Sequence, residues 1–308
     1  MTEEKIIIGT EYPLEGLITI PETGTAPYPA VVLVHGSGAS DMDSKVYKVR
    51  PFKDIAHGLA KHGIATIRYN KRSWTHGKAL VKNIGPALTV KEETIEDAIH
   101  AADLLRADHR INSNRIFIAG LSMGGALAPR IDAEGGDFAG LIIMAGSSRR
   151  FEEIIIGQQE DFMKTAKGLT KWIVGKQIAK LAPKLTNIYD LTDEEAKAKK
   201  FIGNTTVYYL KDFGQKTVAE YLSASTKPIF VMQPEKDLQA TVERDFKKYQ
   251  EILADRDNAT LKLYPGLNHT FMPALYSKIT DATKEFKKER HVEDDVIKDI
   301  AEWVKSHG

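Results

Sequence analysis

Apolar runs of strand length alternate with helical stretches along most of this chain, and that alternation limits the folds open to it. AVVLVHG (30–36) is an unbroken apolar run, as a strand buried on both faces must be. Helical spacing follows over 52–63, and a strand over IATIRYN (64–70). Residues 91–109 place Ile95, Ala98, Ile99, Ala102 and Leu105 on one helical face, with acids in the first turn. Strand RIFIAGL then leads into a helix over 123–134, and strand GLIIMAG (140–146) follows. After an interruption the pattern resumes with strand 228–233, helix 239–254, strand 259–265 and a last helix over 292–306. KIIIGTEY and LEGLITIP, before all of this, look like an antiparallel pair.

Strands alternating with helices imply an α/β fold: a mostly parallel central sheet with helices on both faces. The stretch from Ser147 to Lys227 is helical or irregular and too long for a loop in a compact domain. It reads as an inserted helical cap (147–227), leaving 1–146 and 228–308 as the core. Within it, 162–185 carries lysines at 164, 167, 171, 176, 180 and 184 among apolar residues, an amphipathic helix expected to break near Gly175. Such a helix can lie on an acidic membrane surface. The stronger reading turns its apolar face to the site and its lysines to water.

Gly120-Leu121-Ser122-Met123-Gly124 sits where a buried strand meets a helix and matches G-x-S-x-G. A serine hydroxyl becomes a useful nucleophile only when presented to a base. A sharp strand-to-helix turn presents it, and a Cβ at either glycine would clash with the neighbouring strand or helix. The Met123 N–H, at a helix N-terminus, then points at developing negative charge. HGSG after the first buried strand supplies a second oxyanion donor, the Ser37 N–H or that of Gly38. His35 reads as structural, its ring holding the loop at the strand end.

Serine hydrolases of this architecture run Ser, then acid, then His. Of nine histidines, His57, His62, His100 and His109 lie in or beside helices, His76 in the loop after RYNKR, and His291 and His307 beside the last helix. Only His269 follows a late strand in a loop, where a mobile general base would sit. The acid is Asp237 or its neighbour Glu235, after strand 228–233.

HGSG, GLSMGG, PEKDLQ and the LNHTF stretch together resemble the α/β-hydrolase superfamily. HGSGASD, PFKDIAHGLAKHGIATIRYNKR and the acid-loop DLQ resemble its dienelactone-hydrolase-like and bile-acid-acyltransferase-like esterases. Asn70 and Ser73 depart from that pattern, where aspartate and glycine are common. The resemblance favours Asp237 over Glu235. It implies carboxylic ester hydrolysis through an acyl-enzyme, with no metal or organic cofactor.

The expectation is a serine carboxylesterase for small or medium acyl or aryl esters. Trp172, Tyr208, Tyr209 and Phe213 of the cap could line its pocket. A thioesterase or acyltransferase on coenzyme A esters would need a phosphate site, for which Arg68, Lys71 and Arg72 are candidates. A peptidase and a non-catalytic ligand binder complete the alternatives. Net charge is +1, which argues against nucleic acid as a partner. With no cysteine there is no disulfide and no thiolate chemistry. MTEEKIIIG has too short an apolar run for a secretory signal, and no stretch is long enough for a membrane helix, so the chain reads as cytoplasmic. An edge strand or the last helix could pair two copies as a homodimer.

Overall fold

A computed structural model describes residues 1–307. Strands β1 (Thr2–Ile8) and β2 (Leu14–Ile20) pair antiparallel, as the sequence suggested. There follow β3 (Tyr28–Val34), α1 (Pro51–Lys61), β4 (Ala65–Tyr69), α2 (Arg72–Asn83), α3 (Glu96–Ala107), β5 (Ile111–Leu121), α4 (Met123–Ile131) and β6 (Leu141–Met144). Five helices come next: α5 (Phe151–Thr165), α6 (Gly168–Leu181), α7 (Asp193–Ala198), α8 (Val207–Gly214) and α9 (Val218–Ala224). The chain closes with β7 (Ile229–Pro234), α10 (Lys247–Ile252), β8 (Ala259–Tyr264), α11 (Ala282–Glu285) and α12 (Asp294–Ser306).

The eight strands form one sheet in the order β1-β2-β4-β3-β5-β6-β7-β8, parallel from β4 onward. The central strands are apolar at successive positions because both faces are covered. Val32, Val34, Ile118, Ile143 and Val231 pack with α3 and α4 on one side. Val31, Leu33, Phe117, Ile142 and Phe230 pack with α1 and α12 on the other. This is the expected α/β architecture. No helix among the described residues is long and apolar enough to cross a membrane.

Three local expectations change. His76 lies inside α2, not in a loop, and its Nε2 bonds the Pro13 carbonyl at 2.8 Å. The helix escapes sequence reading because it buries only Arg72 and Leu80, leaving no apolar periodicity. Tertiary contacts hold it instead, through Arg72 on Asp97 and Glu96. Second, the helix expected over 162–185 breaks at Ala166 and Lys167, both extended, and not near Gly175. Gly168 takes the positive φ of +55° that the turn needs, whereas Gly175 sits within α6. Third, the helix expected from 239 starts later, at a π-helical turn over Val242–Phe246. Two of the preceding N–H groups, those of Gln239 and Ala240, donate to the Asp237 carboxylate.

Candidate active site

The residues singled out in the sequence gather at the carboxyl ends of the parallel strands, where open α/β sheets bind ligands. Ser37 follows β3, Ser122 follows β5, Asp237 follows β7 and His269 follows β8. Ser122 has φ +58° and ψ −119°, a conformation non-glycine residues seldom adopt, and stays partly exposed. Its N–H bonds the Met144 carbonyl at 2.8 Å, which pins the turn to β6. The flanking glycines are sterically compelled. A Cβ on Gly120 would stand 2.1 Å from the Gly124 carbonyl oxygen, and one on Gly124 2.3 Å from that of Val34. Helix α4 thus starts against the ends of β3 and β5 with no room for side chains, and the elbow is tight because backbone touches backbone.

Asp237 and His269 are both buried. His269 Nδ1 lies 2.7 Å from Asp237 Oδ2. The other oxygen, Oδ1, accepts from the N–H groups of Gln239 at 2.7 Å and Ala240 at 3.1 Å. The carboxylate is therefore fixed by its own loop before it meets the imidazole. Glu235 instead accepts from the Gly266 N–H at 3.0 Å and pairs with exposed Lys236. The structure brings Asp237 to the histidine and leaves Glu235 outside.

The His269 loop is tethered, contrary to the mobile segment expected. Asn268 Oδ1 accepts from the Thr270 N–H at 3.1 Å and the Met272 N–H at 3.2 Å, and its Nδ2 donates to Glu285. Glu285 in turn accepts from the N–H groups of Leu275 and Tyr276. Asn268 was readable only as a turn residue, because its partner stands 17 positions away.

A cavity of about 100 Å³ holds Ser37, Ser122, Met123 and His269 together. Helix α5 supplies one wall through Phe151, Ile154, Ile155 and Gln158, at helical spacing. Phe213 of α8 adds to it. The other three aromatic candidates do not line this cavity. Tyr209 is buried behind Met123. Tyr208 lies under Lys197, and Trp172 is 58% exposed on α6 beneath Lys176. The sequence signal for α5 is the apolar side of the FEEIIIGQ stretch, which precedes the lysine-rich segment.

His35 performs the structural task expected. Its Nε2–H donates to the Tyr69 carbonyl at 2.5 Å, joining β3 to β4. Burial pushes its pKa down to about 4, so the ring is neutral at pH 7.

The family Hydrolase_4, described as serine aminopeptidase, S33, matches residues 25–273. The chain belongs to this family. Membership supports the α/β-hydrolase resemblance without supporting the narrower dienelactone-hydrolase-like grouping. Among its relatives is esterase EstD of Thermotoga maritima, 34% identical over 304 residues, covering 98% of this chain and 67% of EstD. The solved structure of Est1E from Butyrivibrio proteoclasticus shares the fold at a TM-score of 0.58 and 16% identity, covering 96% of this chain and 99% of Est1E. The Pyrococcus furiosus esterase Pf2001 does so at a TM-score of 0.59 and 17% identity, with 99% and 93% covered.

Proposed function

We propose that this chain is a serine carboxylesterase acting on small acyl or aryl esters, with Ser122 as nucleophile, His269 as base and Asp237 as the acid behind it. Identity of 34% to an esterase over nearly the whole chain supports an ester-hydrolysing serine hydrolase. The residue assignment rests on one observation: an imidazole bonded at 2.7 Å to a buried carboxylate shares a cavity with a serine held at positive φ.

In this reading Ser122 Oγ attacks the ester carbonyl while His269 Nε2 takes its proton. Asp237 holds the Nδ1–H tautomer and stabilises the imidazolium. The N–H groups of Ser37 and Met123 receive the oxyanion. The imidazolium then protonates the leaving alcohol, and water activated by the same ring releases the acid. The segment 147–227 serves as a cap. It closes the site through α5 and α8, and Gln158 Nε2 ties it to the acid loop at the Gln239 carbonyl, 3.2 Å away. The small cavity and its apolar wall favour a short, uncharged acyl group.

The coenzyme A reading loses its cations. Arg68, Lys71 and Arg72 are all buried and each is paired with a carboxylate, so none is offered to a phosphate. The family's description keeps a peptidase as the second reading. Hydrolysis of p-nitrophenyl esters from acetate to palmitate, by wild type and Ser122→Ala, tests the proposal, with aminoacyl anilides run beside them. Short-chain activity that disappears in the variant is expected. Equal activity in the variant removes Ser122 from the mechanism, and cleavage of anilides alone favours the peptidase.

A further inference from the structure

A buried charge lies next to the oxyanion loop, and the reaction as described makes no use of it. Lys71, between β4 and α2, is 1% exposed. Its ammonium donates to the Gly36 carbonyl at 3.0 Å and stands 3.4 Å from Glu93 Oε1. Glu93, in the π-helical turn Lys91–Ile95 before α3, accepts at Oε2 from the Tyr209 hydroxyl at 2.5 Å. The same hydroxyl lies 3.7 Å from Met123 Sδ. The contacts run from the residue before one oxyanion donor to the side chain of the residue that bears the other.

The Gly36 carbonyl and the Ser37 N–H belong to one planar peptide, so fixing the oxygen fixes the direction of the N–H. A cation bonded to that oxygen also draws electron density from the amide and makes its N–H a stronger donor. Burying an ammonium is costly, and replacing a buried ion pair with apolar side chains is often neutral or stabilising. Stability is therefore a poor explanation for a charged pair here. Burial pulls the Lys71 pKa down while Glu93 and Asp97 pull it back up.

We propose that Lys71 is a positioning residue for ester hydrolysis: it orients and polarises the Gly36–Ser37 peptide toward the oxyanion, Glu93 holds the lysine, and Tyr209 of the cap holds Glu93. This rests on the reading of Ser122 as nucleophile and the Ser37 N–H as donor. It gives Tyr209 a task distinct from substrate contact. It also makes the seating of α8 a condition for a competent oxyanion site.

The test removes both charges at once, so that neither is left unpaired. Lys71→Met/Glu93→Gln is expected to lower kcat on p-nitrophenyl butyrate by roughly 10–100-fold, less than the loss of a donor itself, with KM changed less than about 2-fold. A trifluoromethyl ketone, which forms a tetrahedral adduct with the serine, should bind more weakly by the same factor as kcat/KM falls. Butyrate, which forms none, should bind unchanged. Tyr209→Phe keeps the ring and should lower kcat by about 3–10-fold, again at constant KM. Wild-type kcat in the folded double variant, or a loss confined to KM, overturns the proposal. Should the double variant not fold, unchanged kcat in Tyr209→Phe overturns it. Ser122→Ala separates the two levels. If that variant stays active, the nucleophile assignment fails. If it is dead while Lys71→Met/Glu93→Gln is fully active, only the role of Lys71 fails.

Discussion

Replacing Gly124 with alanine should damage both stability and rate, and the structure says by how much. The added Cβ would stand 2.3 Å from the Val34 oxygen, 2.6 Å from the His35 oxygen and 2.8 Å from the Val34 carbonyl carbon. Real Cβ atoms do not come within 3.0 Å of such neighbours, so α4 must retreat from β3 by about 0.7 Å or more. These are main-chain atoms and cannot swing aside. Overpacking of this kind costs about 1–3 kcal/mol. At roughly 2–4 °C per kcal/mol, the melting temperature should fall by about 2–12 °C. The start of α4 carries the Met123 N–H and the end of β3 leads to Ser37, so the two proposed oxyanion donors separate by a similar distance. A misplacement near 1 Å costs about 100-fold, and kcat/KM on p-nitrophenyl acetate should drop by roughly 30–100-fold. Gly77→Ala is the control: its Cβ meets nothing within 4 Å and its φ lies outside the left-handed region, so alanine should leave melting and rate close to wild type. A Gly124→Ala protein with wild-type melting and wild-type rate would refute the steric account of the elbow.

Asp237→Asn keeps an acceptor for the Gln239 and Ala240 N–H groups but turns an amide N–H toward His269 Nδ1. The wrong tautomer follows, and kcat should fall by about 1,000- to 10,000-fold with little loss of melting temperature; a loss under 10-fold would remove Asp237 from the mechanism. His35 has a folded-state pKa of about 4 against 6.5 in the unfolded chain, so the unfolded chain takes up its proton first as pH falls. Its contribution to stability is complete above pH 6.5 and declines by about 3 kcal/mol on going down to pH 4. Denaturant titrations of His35→Gln, which retains a donor for Tyr69, should lose that part of the slope; parallel pH profiles would count against it. Ile155→Ala and Phe213→Ala should shift the preferred acyl chain to greater length, since both side chains wall the cavity. Trp172→Ala should leave the chain-length profile unchanged, and a shift there would bring α6 into the site.

Much of the fold and the elbow was already legible in the sequence, because they depend on local pattern. The unbroken apolar run at Val31–Val34 demanded a strand covered on both faces. The two glycines around Ser122 announced a turn without space for a Cβ, and the order Ser122, Asp237, His269 narrowed nine histidines to one. What remained open depended on partners distant in the chain. Residue pattern left Asp237 and Glu235 equivalent and only the family resemblance favoured Asp237; the contact itself forms when His269, 32 positions later, arrives at 2.7 Å. Helix α2 forms on Arg72 and its carboxylates with no apolar stripe to betray it. The cavity wall falls to α5, and Trp172 faces water, because the packing direction of a surface helix is set by what lies beneath it. Lys71, Glu93 and Tyr209 lie on three separate elements, and their charges and hydroxyl acquire meaning only where folding places them beside the Gly36 carbonyl. Sequence periodicity specifies which face of an element is apolar; the tertiary structure decides what that face, and every buried polar group, will meet.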